Sequence, residues 1–218
     1  MTPPVIATLF DYHRSSASYR VRIALNLKGI AWSRVAVNLL ENEQGSAANL
    51  ARNPQGQVPT LEIDGLSLIQ SLAIIDYLDS TRPTPPLLPR EPAARARVMA
   101  QALVIAADTH PIGNMRFIRQ LGDQFGADEA AKTVWRRHSM ALGLQALEAM
   151  ADSDMPHSAG PFLGGDSPNL ADICLVPQLY NARRFDLPLD RYPRLVRADT
   201  AASALPAFAD AHPDRFLP

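Results

Sequence analysis

Residues 83 to 90 read Pro-Thr-Pro-Pro-Leu-Leu-Pro-Arg, and four prolines in eight positions can neither continue a helix nor serve a central strand. The chain must pass through this stretch as an extended, semi-rigid connection, and the patterns on its two sides differ. Before it, strand and helix signals alternate. The apolar run Val5 to Phe10 is followed by helical spacing from Ser16 to Leu27 and by β-branched alternation from Ala31 to Val37. After a polar segment from Asn38 to Arg52, the runs Val58 to Ile63 and Leu66 to Ile69 flank Asp64-Gly65, a strong hairpin dipeptide. A second helix, Leu72 to Asp79, ends before Arg82-Pro83. Beyond the prolines, Ala-rich helical periodicity fills Pro92 to Leu121, Asp128 to Met150, Asn169 to Ala182 and Tyr192 to Ala202, with no convincing strand between. The expected fold class is therefore α/β plus all-α: a βαβ-ββα domain over residues 1–82, a linker at 83–90 and an all-helical domain over 91–218.

Composition narrows the function classes. In 218 residues, 21 basic side chains face 22 acidic ones, so no long-range field draws a phosphate backbone, and no run of Lys or Arg supplies a local one. No partnership with nucleic acid is expected. The single cysteine, Cys174, cannot close an internal disulfide, and the opening Met-Thr-Pro-Pro-Val-Ile-Ala lacks the pattern of a secretory signal, which together favour a reducing cytoplasm. No apolar run approaches the roughly 20 residues of a membrane span, so no membrane association is expected. Eleven glycines against nineteen prolines leave no Gly-rich phosphate loop. His13, His138, His157 and His212 show no metal-ligand spacing, and no metal is expected.

Three short segments can carry chemistry. Asp11-Tyr12-His13-Arg14-Ser15-Ser16-Ala17-Ser18-Tyr19-Arg20 joins the first strand to the first helix, with Ser15 or Ser16 as N-cap and Gly29 at the far end as a C-cap glycine. Free N–H groups and the positive helix end there favour an anion, a thiolate included, although from the local sequence alone a simple cap is the commoner explanation of the serines. Val58-Pro59 stands at the entrance to a strand expected to be internal, where a cis bond would turn the Val58 backbone toward a bound peptide. Gln70-Ser71 opens the next helix and suits a carboxylate, or is another cap. Asn169 with Asp172 three positions on reads as a structural capping box, and the neighbouring Cys174 as a buried small hydrophobe.

Taken together, these segments resemble a thioredoxin-like glutathione-binding domain. The run Ser15-Ser16-Ala17-Ser18-Tyr19-Arg20-Val21-Arg22-Ile23-Ala24-Leu25 resembles the signature of zeta-class glutathione transferases, also known as maleylacetoacetate isomerases, and the neighbouring maleylpyruvate isomerases are similar. The likeness continues through Asn53-Pro54, Val58-Pro59, Gln70-Ser71-Leu72-Ala73-Ile74, Leu87-Leu88-Pro89, Asp172-Ile173-Cys174-Leu175-Val176-Pro177-Gln178 and Arg184-Phe185, and so covers nearly the whole chain. It departs at Ala17, where the family commonly has cysteine, and at Tyr19, where it has Trp or His.

The resemblance implies glutathione as cofactor. It assigns Ser15 to the glutathione sulfur, with Ser16, Ala17, Ser18, Tyr19 and Arg20 beside it, Val58 to the cysteinyl backbone, Gln70 and Ser71 to the γ-glutamyl carboxylate, and Gln44 to the glycyl end. His110, Asn114 and Arg116, in a helix interrupted at Pro111 and Gly113, are candidates for both cofactor and substrate. Arg14 is a further candidate for substrate, and Arg184 matches an arginine expected to bind the far substrate carboxylate. Ser15, Ser16 and Arg184 form the implied catalytic set. The implied reaction isomerises maleylacetoacetate or maleylpyruvate to the fumaryl form by thiolate addition, bond rotation and elimination, in a cytoplasmic homodimer. Two other readings compete: a transferase or dehalogenase for small electrophiles such as α-halo acids, and a non-catalytic thioredoxin-like adaptor.

Overall fold

The computed structural model describes residues 7–153 and 160–217. Val5 and Ile6 of the expected first strand, the rest of the opening segment read for a signal, and His157 lie outside the described residues. The chain forms two compact units, Met1–Leu87 together with Leu205–Pro218, and Leu88–Ala204. The first break falls inside the proline-rich stretch. The second differs from the sequence division, which assigned residues 205–218 to the helical part.

The first unit is built on a four-stranded sheet of order β2-β1-β3-β4, from β1 (Ala7–Asp11), β2 (Trp32–Ala36), β3 (Thr60–Ile63) and β4 (Leu66–Ile69). β1 runs parallel to β2, with Leu9 opposite Arg34, and antiparallel to β3, with Leu9 opposite Leu61. The parallel pair needs a crossover, which α1 (Ser16–Leu27) supplies; Asp64 and Gly65, both at positive φ, make the tight turn between β3 and β4. α3 (Ser71–Thr81) packs on α1, and Leu9, Val21, Leu25, Leu61, Ile74, Ile75 and Leu78 are fully buried. The polar segment after β2 contains a short helix absent from the sequence reading, α2 (Ala47–Arg52), started by the Ser46 side chain accepting from the Asn49 N–H. Arg52 lies 4.1 Å over the Phe10 ring, on the sheet face opposite Leu9 and Asp11.

Two arginines of this unit hold the C-terminal residues by their carbonyls, beside apolar side chains that the same residues bury. Asp11, fully buried at the end of β1, receives Arg22 Nη1 and Arg34 Nε, each at 2.5 Å. The rest of the Arg22 guanidinium donates to the carbonyls of His13 at 2.9 Å and Ala211 at 3.0 Å. Arg34 also donates to the Phe216 carbonyl, the Phe216 ring covers the Arg22 guanidinium at 4.7 Å, and Asn26 donates to the Ala207 carbonyl. Phe208, at the centre of α9 (Pro206–Ala209), is fully buried. Each nitrogen of Arg22 and each carboxylate oxygen of Asp11 thus has a partner, the condition under which a dehydrated ion pair is tolerated.

The second unit is helical: α4 (Pro92–Leu103), α5 (Met115–Phe125), α6 (Glu129–Ser153), α7 (Leu170–Arg184) and α8 (Pro193–Ser203). The expected long first helix breaks after α4 into a π-helical turn, Val104–Thr109, and a 3₁₀ turn, Pro111–Gly113, so the interruption read at Pro111 is realised as a change of helix. Thr109 packs so tightly on α6 that a Cβ at Gly143 would lie 1.9 Å from its Oγ1. α7 is the axis of this unit, buried from Leu170 through Leu179, with Cys174 inside as expected. Its first turn carries the capping box: Asn169 accepts from the Ala171 N–H at 2.8 Å and Asp172 from the Asn169 N–H at 3.0 Å. Asp172 reaches further than a cap, accepting from Leu163 N–H at 2.9 Å and Gly164 N–H at 3.3 Å. Glu148 of α6 caps α8 from a distance, accepting from the N–H groups of Arg194 and Leu195. Among the described residues, no helix is long and apolar enough to cross a membrane.

Two predictions follow from these buried charges. Arg22→Met strands Asp11 beside one partner and releases the Ala211 carbonyl, and should cost about 3 kcal/mol or more in urea unfolding. Burial pushes the Asp172 carboxyl up to about 6 in spite of its N–H donors. The folded protein therefore binds that proton more tightly than the unfolded chain. Stability from this group is present at acid pH and lost as pH rises toward 6. Relative to Asp172→Asn, the wild type should gain stability as pH falls from about 6 to about 4, read from paired unfolding curves.

Candidate functional site

Ser15 is the N-cap of α1, with φ −69° and ψ 116°, and its Oγ accepts from the Ser18 N–H at 3.2 Å. The lone pair is committed to the cap, so the hydroxyl hydrogen is left to donate outward. The first intrahelical bond of α1 is made by Tyr19 N–H to the Ser15 carbonyl, which leaves the amides of Ser16 and Ala17 without helical acceptors, and the first turn holds no acidic side chain. An anion beside Ser15 meets a hydroxyl donor, two amides and the positive end of a twelve-residue helix. Ser16 is buried, Ala17 half-buried, and Ser18 fully buried with its hydroxyl unpartnered. Arg14 is exposed, while burial and the charges of Arg14 and Arg34 hold the His13 imidazole below its ordinary pKa and keep it neutral at pH 7.

The other candidates of the first unit are linked to this turn by side chains. Tyr19 is buried with its ring edge-on to His212 at 6.1 Å. Arg20, also buried, crosses from α1 to donate to Ser71 Oγ at 3.3 Å, so the starts of α1 and α3 are joined through a guanidinium. Gln70, the N-cap of α3, has φ 68° and donates its amide to Gln55 Oε1 at 2.7 Å. Gln55 belongs to the loop before β3, which Asn53 organises by accepting from the Gln55 N–H and donating to the Gln57 carbonyl. Val58-Pro59 is cis, as expected, and the half-buried Val58 makes no backbone hydrogen bond among the described residues. Gln44 lies in a 3₁₀ turn at Glu43–Gly45, and a Cβ at Gly56 would lie 3.4 Å from its carbonyl, so this turn abuts the same loop. The structure therefore gathers Ser15, Ser71, Gln70, Val58 and Gln44 through Arg20, Gln55 and Gly56. Of these connectors, Gln55 and Gly56 lie outside the expected set: a glutamine in a loop carries no sign of its partner 15 positions away.

In the second unit, His110 is half-buried after the π-helical turn, Asn114 caps α5 by accepting from the Arg116 N–H at 3.0 Å, and Arg116 is exposed. Arg184 ends α7, exposed, with its guanidinium 5.9 Å from the Tyr180 ring and 5.6 Å from the Phe185 ring. It donates to Asn181 Oδ1 at 3.4 Å and makes no ion pair among the described residues. Arg183 turns the other way to Asp199 at 2.6 Å, so only Arg184 of the two is uncommitted to a carboxylate. α6 touches both candidate segments: Trp135 Nε1 donates to the Ile112 carbonyl at 3.2 Å, and Arg137 donates to the Phe185 carbonyl. Among the described residues, no three His, Cys, Asp or Glu side chains could hold a metal ion.

Comparison with known proteins follows the same division. Residues 9–86 match the family described as glutathione S-transferase, N-terminal domain. The chain is 49% identical over 210 residues to a maleylacetoacetate isomerase of Rhizobium meliloti (strain 1021), covering 96% of this chain and 97% of that protein. The holo structure of a maleyl pyruvate isomerase, a bacterial zeta-class glutathione transferase, superposes with a TM-score of 0.91 at 43% identity, over 94% of this chain and 96% of that one. A maleylacetoacetate isomerase from Anaeromyxobacter dehalogenans 2CP-1, with dicarboxyethyl glutathione and citrate in its active site, gives 0.85 at 45% identity, over 97% and 96%. A sheet with one parallel and two antiparallel pairings, a helix start that favours an anionic sulfur, and near-identity of length with these relatives agree, and the chain belongs to the glutathione transferase family, in its zeta, or maleylacetoacetate isomerase, class.

Proposed function

We propose that this protein is a glutathione-dependent cis-to-trans isomerase acting on a maleyl-type dicarboxylate, maleylacetoacetate or maleylpyruvate. The observation that carries the reading is the Ser15 cap, whose hydroxyl is free to donate at a helix start without a competing acid. Bound glutathione supplies a thiol nucleophile for reversible addition across the cis double bond. The residues present fit that group: Ser15 with the Ser16 and Ala17 amides for the sulfur, the unpartnered Val58 backbone for an extended peptide, and Gln70 and Ser71 for a carboxylate. Gln44 serves the remaining end. Ser15 does not attack substrate; its O–H and the helix end favour thiolate over thiol and so raise the nucleophilic fraction at neutral pH. Ala17 contributes an amide and no competing thiol.

Arginine geometry suits the substrate half of the task. Arg184, uncommitted to any carboxylate, offers a planar donor face to the far substrate carboxylate, while Arg14, Arg116, His110 and Asn114 supply further donors. Positive groups fixed before the reaction stabilise negative charge that develops on the substrate without reorganising. The relative with dicarboxyethyl glutathione in its active site supports a dicarboxylate as the electrophile. We further propose a homodimer, and a reducing cytoplasm, which a single buried cysteine that forms no disulfide suits; sedimentation should give twice the 23.8 kDa chain mass.

The test is a spectrophotometric assay with each maleyl substrate, with and without glutathione. Isomerisation that requires glutathione is expected, and inactivity on both substrates would overturn the reading in favour of transferase chemistry on other electrophiles. Ser15→Ala should lower kcat/KM by about a hundredfold, the scale of losing one positioned donor, while glutathione affinity, checked by calorimetry, changes far less.

A further inference from the structure

α6 carries a second guanidinium to the same ring as Arg184. Arg136 is half-buried, with its guanidinium 4.8 Å from the Phe185 ring centroid, against 5.6 Å for Arg184. The other two arginines nearby are answered by acids: Arg137 by Asp186 at 3.5 Å and Arg183 by Asp199 at 2.6 Å. Arg136 makes neither hydrogen bond nor ion pair among the described residues. The nearest acid on its own helix, Glu129, is held by Lys132 at 2.8 Å. Burial and the charge of Arg184 both push Arg136 below its usual pKa, opposed only by Glu129. Two like charges against one aromatic ring repel, and a ring quadrupole offsets only a small part of that cost. A carboxylate would remove it, and two guanidinium planes can meet its oxygens with parallel N–H groups.

We propose that Arg136 acts with Arg184 as a paired clamp on the substrate carboxylate distal to the sulfur and so sets the preference of this enzyme for dicarboxylate electrophiles. The inference rests on the isomerase reading above and adds a binding residue to it. The helix that bears Arg136 is anchored at the preceding residue, Trp135, to the Ile112 carbonyl, beside His110, Asn114 and Arg116. The same helix thus touches the segment of His110, Asn114 and Arg116 through Trp135 and that of Arg184 through Arg136 and Phe185. No local signal marked it, since an arginine in an amphipathic helix is ordinarily a solvated one.

Calorimetry of wild-type protein, Arg136→Gln and Arg136→Lys with S-dicarboxyethyl glutathione and with glutathione decides the matter. The glutamine variant should bind the dicarboxylate adduct roughly tenfold more weakly, the loss of about one charged hydrogen bond, with glutathione affinity unchanged. The lysine variant, which keeps charge but not the planar fork, should fall between. Unaltered affinity of Arg136→Gln for the adduct overturns the proposal, and so does an equal loss for both ligands, which would mark Arg136 as structural. The readout is binding, so it is separate from the turnover assay. A wild-type protein that fails to isomerise either maleyl substrate defeats the isomerase reading, while the calorimetric comparison still decides the clamp.

Discussion

A carboxylate sealed from solvent must be surrounded by donors, and in the first unit Asp11 is such a group. Its partners arrive from every direction of the first unit: Arg22 from α1, Arg34 from β2 and, through those same guanidiniums, the carbonyls of His13, Ala211 and Phe216. The His13 carbonyl lies two residues before Ser15, so the turn that presents the cap is held by the same guanidinium that answers Asp11. Preorganisation of an anion-binding helix start needs a backbone that does not drift, and here fixed charge supplies the restraint. The apolar core beneath, Leu9, Leu61 and Ile75 among others, fills space, whereas the ion pairs set direction.

Much of this was legible in the chain. Period-two and period-3.6 patterns, Asp64-Gly65, Gly29 and the proline-rich break describe local choices, and local choices leave local traces. Ser15 as cap, cis Val58-Pro59, the Asn169 and Asp172 box and the interruption at Pro111 belong to that class. What was not legible is what joins distant segments. Arg22 and Ala211 are 189 positions apart, and nothing around either residue announces the other. The docking of the final residues on the first unit, the Gln70 to Gln55 contact and the convergence of Arg136 and Arg184 on Phe185 are of the same kind. The short α2 escaped for a different reason, because six polar-flanked residues are too few for a periodic signal.

The candidate residues divide by how their side chains are held. Ser15, Ser71 and Arg20 are fixed by caps and mutual hydrogen bonds within the first unit, which suits the cofactor-binding role proposed for them. Arg14 and Arg184 are exposed, one in the turn after β1 and the other at the end of α7.

Because residues 205–218 complete the first unit, the helical unit is topologically an insertion between two parts of the other. A ribosome that has released only the thioredoxin-like segment has released an Arg22 whose Ala211 acceptor, and an Arg34 whose Phe216 acceptor, do not yet exist. The helical unit, continuous in sequence, can close its core first. The segment that emerges earliest is thus completed only when the final residues of the chain have been made.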